Sequence, residues 1–278
     1  MCSIFEFFAD LAEKKALLKD TLIDDFPFNE NMVLFEWTGK FPDMVLRRNT
    51  GHFDNPLLSG GELIEMKNSE SSYTVSSFNS TIPSGEKNMV DIMAQKGFAE
   101  KMAEVGDDAG SLPVRQVYYL VRGKNRGAVK VCLVHGSFFA TVEESDLVSD
   151  AFRQVMEEAI LRGKTISPKA KKELLSAMTE RDVFATTRQV KKASVSLRFR
   201  VMTEVRSEAN IMRYDEILDN TLNFIVPMHG ETEKEIATQE NKIIDAAQTT
   251  DVLNYPNLRQ FRIKHPFNGW FWALQIPI

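Results

Sequence analysis

The sequence predicts an α/β fold: a mixed central β-sheet flanked by helices. Three observations carry that expectation. Residues 114–121 (V-R-Q-V-Y-Y-L-V) and 128–135 (A-V-K-V-C-L-V-H) are β-branched and aromatic runs, joined through Gly123-Lys124-Asn125-Arg126-Gly127 as a hairpin. Both runs are almost continuously apolar, the pattern of strands covered on both faces. Residues 86–105, 143–162 and 231–247 carry apolar side chains at helical spacing. A chain of 278 residues with an ordinary apolar fraction is read as one large domain, residues 1–278.

The elements follow in order. Phe5, Phe8, Leu11, Leu17, Leu18 and Leu22 fall near helical spacing, so residues 1–25 are expected to form a helix that packs on the core or on a second subunit. This stretch has neither a basic start nor a small-residue cleavage site, unlike a signal peptide. Residues 25–42 read as irregular around a short apolar segment, 32–37. Residues 44–48 read as a strand leading toward Asp54, and residues 62–67 and 73–78 as further strands. Residues 86–105 read as one helix with Met89, Ile92, Met93, Phe98 and Met102 on its apolar side. Ser167-Pro168 opens a helix after 143–162, with proline at the first helical position. Residues 203–220 read as partly helical, and 222–226 as a strand ending at Pro227. The aromatic C-terminus (Phe267, Trp270, Phe271, Trp272) reads as a strand buried on one face.

Composition narrows the classes. The net charge of −5 does not announce a nucleic-acid binder, although such binding needs only a local basic surface. Cys2 and Cys132 lie far apart, with no disulfide framework or zinc spacing, and His52, His135, His229 and His265 are isolated. A reducing, cytoplasmic setting fits. No apolar run reaches membrane-spanning length, so no membrane association is expected.

The stretch with most chemical content is 49–67, N-T-G-H-F-D-N-P-L-L-S-G-G-E-L-I-E-M-K. Asp54 precedes a turn-rich break (Asn55, Pro56, Ser59, Gly60, Gly61), and Glu62-Leu63-Ile64-Glu65-Met66-Lys67 follows. As a strand, that run sends Ile64 and Met66 to one face and Leu63, Glu65 and Lys67 to the other. The turn would bring Asp54 beside Glu65. Mg²⁺ takes oxygen ligands, one or two carboxylates among them, so Asp54 and Glu65 would ligate it. Lys67 would then act on the attacking water or balance transition-state charge. The same residues also read as a solvated strand face with an ordinary ion pair and a turn aspartate.

An aspartate, a short gap and Glu-X-Lys resemble the active site of the PD-(D/E)XK nucleases. The run G-G-E-L-I-E-M-K-N-S followed by S-F-N-S-T-I-P is similar to type II restriction endonucleases of that superfamily. The motif support covers about residues 49–90. The proline of the family signature is missing before Asp54, where Phe53 stands, and Pro56 follows two residues later. The resemblance implies a restriction-endonuclease-like fold and Mg²⁺-dependent hydrolysis of double-stranded DNA at a specific site, in a restriction–modification system. It implies Asp54, Glu65 and Lys67 as catalytic residues, with the metal on Asp54 and Glu65, and a homodimer that cuts both strands of a symmetric site. It also makes Glu36 a candidate for an additional carboxylate. A repair or structure-selective nuclease with the same residues, and a non-catalytic DNA-binding protein, are the alternatives.

Two segments offer DNA contacts. Asn79, Ser80 and Thr81 follow the motif with short side chains suited to phosphate and base-edge hydrogen bonding, or equally to capping the next helix. Between Arg162 and Arg200 there are eleven Lys or Arg and three acids, a strongly basic segment inside an acidic chain. Within it Arg188, Lys191, Lys192, Arg198 and Arg200 are the candidates for DNA binding. A solvated basic face is the other reading.

Overall fold

The structure is a computed structural model. It describes residues 8–9, 32–34, 41–48, 60–74, 77–79, 83–95, 97–140, 142, 144–161, 166–170, 172–173, 188–189, 196–197, 202–249 and 251–278. The expected α/β architecture is present as a mixed sheet flanked by helices. Its strands are β1 (Met32–Leu34), β2 (Met44–Leu46), β3 (Leu63–Ser69), β6 (Val114–Asn125), β7 (Ala128–His135), β11 (Thr221–Met228), β13 (Gly269–Pro277) and β12 (Arg259–His265), adjacent in that order. A further strand, β5 (Glu86–Asn88), pairs with the start of β6. The pairs β3–β6 and β7–β11 are parallel and the other neighbours antiparallel.

The hairpin of β6 and β7 is tighter than its sequence suggests. The strands run on to Asn125 and restart at Ala128, leaving Arg126 (φ 50) and Gly127 (φ 86) as the turn. Two successive positive φ angles match the twist of the flanking strands. Pro227 does not end β11. It pairs with Phe271 of β13, beyond Ile225, the last residue paired with β7, so its missing N–H takes nothing from that ladder.

Side-chain alternation fills both faces. One face gathers Ile64, Met66, Tyr118, Leu120, Leu133 and Phe224 under α4 (Glu233–Gln248), which contributes Ile236, Ile243 and Ala247. Phe8 and Ala9, all that is described of residues 1–25, are helical and buried in this cluster. Thr232 and Glu235 close a capping box at the start of α4. The other face gathers Leu63, Val117, Tyr119, Val121 and Cys132 under α1 (Met89–Met93) and α2 (Phe98–Glu104). α3 (Glu144–Leu161) lies close to its expected bounds.

The single helix expected over 86–105 is a correction. Asn88 caps α1 by accepting from Val90 N at 2.9 Å, and Gly97 at φ 80 separates α1 from α2. Met89, Ile92, Phe98 and Met102 nevertheless share one cluster, which is why the periodicity read as continuous. The strand expected over 73–78 is β4 (Ser77–Asn79), paired with β10 (Met202–Glu204). Residues 207–209 and 211–213, expected to be partly helical, are 3₁₀ turns. Pro168 does open a helical stretch, with Ser167 Oγ accepting from Ala170 N.

One buried ion pair positions the strands around β3. Arg115 Nη2 meets Asp107 Oδ1 at 2.8 Å with both side chains at 0% exposure. Arg115 also donates to the Gly61 carbonyl, and Arg48 N donates to Asp107 Oδ2 at 2.9 Å. The chain just after β2 and the chain just before β3 are thereby held to the start of β6. No helix among the described residues is long and apolar enough to cross a membrane.

Candidate active site

Strand β3 alternates as its sequence predicts. Ile64 and Met66 enter one core cluster and Leu63 the other, so Glu65 and Lys67 share the Leu63 face. Lys67 Nζ lies 2.5 Å from Glu65 Oε1, with the Glu65 side chain 7% exposed and that of Lys67 22%. A solvated strand face is therefore not what the structure holds.

The carboxylate opposite Glu65 is Asp43. Met44 pairs with Ile64 and Val45 with Leu63, so the antiparallel register continues to Asp43 against Glu65. Paired residues share a face, which puts the two carboxylates side by side. They lie within hydrogen-bonding reach of one another. Asp54 and Glu36, the expected carboxylates, lie outside the described residues. In the sequence Asp43 is overshadowed by Asp54, the aspartate nearer the turn. The signal was there: Pro42-Asp43 is the proline–aspartate pair missing at Asp54, and it opens the apolar strand M-V-L.

Pro42 also shapes the backbone. Leu46 N donates to Glu62 O, so the even-numbered residues of β3 turn their polar backbone groups toward β2. Met66 faces the position of Pro42, which has no N–H to offer the Met66 carbonyl. The Met66 N–H instead donates to Asp43 Oδ2 at 2.7 Å. One proline thus ends the ladder beside the two carboxylates and the ammonium.

The electrostatics are those of crowded acids. Burial, then the neighbouring Asp43 charge, pushes Glu65 up to about 7 against the pull of Lys67. Burial likewise raises Asp43, opposed by the Met66 N–H and by Lys67. Glu65 Oε2 is buried with no hydrogen-bond donor among the described residues. An orphaned carboxylate oxygen beside a second carboxylate is what a hard divalent cation relieves, and Mg²⁺ in particular binds through one or two carboxylates. The donor set of Asp43, Glu65 and the Met66 carbonyl fits such an ion. Among the described residues no three His, Cys, Asp or Glu side chains cluster.

The expected DNA contacts are less fully placed. Asn79 lies in β4, paired with Met202, and Arg188 lies in a short strand, β8 (Arg188–Gln189), paired with β9 (Ser196–Leu197). Ser80, Thr81, Lys191, Lys192, Arg198 and Arg200 lie outside the described residues. No family model, curated protein or solved structure matches this chain.

Proposed function

We propose that the chain is a Mg²⁺-dependent endodeoxyribonuclease that hydrolyses double-stranded DNA at a specific site, in the manner of the type II restriction endonucleases it resembles. The observation that carries this reading is the meeting of Asp43, Glu65 and Lys67 on one sheet face, with an unsatisfied carboxylate oxygen at its centre. The reading gives the aspartate of the nuclease signature to Asp43, preceded by Pro42.

Asp43, Glu65 and the Met66 carbonyl would hold the ion. Magnesium, when bound, supplies Lewis-acid polarisation of the phosphodiester and a bound water of lowered pKa. Lys67, held by Glu65, places a positive charge beside the two carboxylates, where it orients the attacking water and offsets charge building on the phosphorus oxygens. Glu65 also keeps Lys67 from swinging into solvent. A symmetric site cut on both strands calls for two copies of this arrangement, so the reading includes a homodimer.

The test is incubation of the full chain with plasmid and phage DNA in Mg²⁺ and in EDTA, beside Lys67→Ala. Discrete fragments that need Mg²⁺ and disappear in the variant support the reading. A smear points to the structure-selective or non-specific alternative. Intact, unretarded DNA under every condition overturns it.

A further inference from the structure

The segment after β3 crosses the end of β6 closely at Gly123, with the Ser72 carbonyl oxygen 3.1 Å from where a Cβ would stand. A Cβ there would lie 2.5 Å from Met212 Sδ and 3.2 Å from Tyr73 Cδ1. Tyr73, residues 212–215 and residues 217–219 then wall an open cavity of about 560 Å³ with Lys130 in its lining. Lys130 is already engaged: it donates to the Met212 carbonyl at 3.1 Å, lies 4.8 Å over the Tyr73 ring and 3.9 Å from Asp219.

The cavity lies on the Glu65–Lys67 face. Ser69 pairs with Gly123 and Gly123 with Lys130, and paired residues share a face. Lys130 is thus two strands across and one side-chain repeat along from Lys67, about 12 Å by strand spacing.

Two lining side chains are exposed and unspent. Arg213 has a single 3.3 Å hydrogen bond to Thr74 Oγ1, and Asp215 has no hydrogen bond or ion pair among the described residues. They flank Tyr214, which is fixed by its hydroxyl on the Glu208 carbonyl at 3.2 Å and by its ring against Phe138. A rigid support therefore presents one cation and one anion that do not pair with each other.

That combination is wrong for a phosphate, which Asp215 and Asp219 would repel. It suits a base edge, which offers donors and acceptors without charge. Arginine binds guanine O6 and N7 bidentately, and aspartate accepts from cytosine N4. We infer that Arg213 and Asp215 read one G·C pair of the DNA substrate from the major groove, on the sheet face that carries Glu65 and Lys67. The inference rests on the nuclease reading and names a source of its specificity.

The experiment is selection from a random duplex pool by the full chain carrying Lys67→Ala, in Mg²⁺, so that bound DNA stays intact. Arg213→Ala and Asp215→Ala are made in the same background. Both positions are exposed, so the variants keep the fold. The expected parent motif contains a fixed G·C pair, and each variant relaxes that position by roughly 5- to 150-fold while the other positions hold. A motif without a fixed G·C pair, or one unchanged by both variants, overturns the inference and leaves the nuclease reading standing. A parent that retains no DNA overturns both.

Discussion

Replacing Glu65 by glutamine should make the protein more stable at neutral and alkaline pH. The folded chain holds the Glu65 carboxyl at about 7, against an ordinary value of 4.5. The folded-state value is the higher one, so the unfolded chain ionises first, and stability is lost as pH rises from about 4.5 through 7. At about 1.36 kcal/mol per pH unit the ionised carboxylate costs roughly 3 kcal/mol above pH 7. Glutamine keeps the shape and removes the charge facing Asp43. The pull of Lys67 is already contained in that value, so losing the ion pair takes nothing further from the gain. The expected net stabilisation is about 3 kcal/mol at pH 8, or roughly 6 °C in Tm for a chain of this size, vanishing by pH 5. Thermal unfolding at the two pH values measures it. Added Mg²⁺ should stabilise the wild type, by about 2.7 kcal/mol at a hundredfold excess over Kd, and leave the variant unmoved. A variant less stable than wild type at pH 8, or equally stabilised by Mg²⁺, refutes the reasoning that Glu65 is strained toward a cation.

Three further predictions concern the frame that holds the site. His135 is buried between Gln116 Oε1 and Ser137 Oγ, and burial pushes it down to about 4. Its folded value lies below the unfolded one near 6.5, so stability falls with pH between those values, by about 2 kcal/mol at pH 5. In His135→Gln the urea midpoint should lose that part of its pH dependence. Gly136→Ala places a Cβ 1.9 Å from the Ser84 carbonyl oxygen, and urea unfolding should show a loss of about 3 kcal/mol. Arg115→Met alone leaves Asp107 buried and unpaired and should lose about 3–5 kcal/mol, while Arg115→Met with Asp107→Leu should recover most of it in the same assay.

The strands were legible where burial repeats in the sequence. Runs 114–121 and 128–135 announce β6 and β7, and the alternation around Ile64 and Met66 places Glu65 and Lys67 on one face. β12 was not legible, because R-Q-F-R-I-K-H is an edge strand whose deeply buried residues are only Ile263 and His265. The helix expected over 86–105 divides because an Asn cap and a left-handed glycine act locally, while the apolar period runs through both. The aspartate opposite Glu65 is a question of register. An aspartate near a turn and an aspartate opening a strand look alike in one dimension, and only the pairing of Met44 with Ile64 decides which faces Glu65. Arg213 and Asp215 gave no signal at all, since their meaning depends on a cavity assembled from segments far apart in the chain.

The central claim is that Asp43 and Glu65 together hold a divalent cation, and calorimetric titration of Mn²⁺ into the full chain tests it most directly. The account predicts saturable binding that is lost in Asp43→Asn and in Glu65→Gln and kept in Asp54→Asn. Binding kept in Asp43→Asn, or lost only in Asp54→Asn, would contradict it.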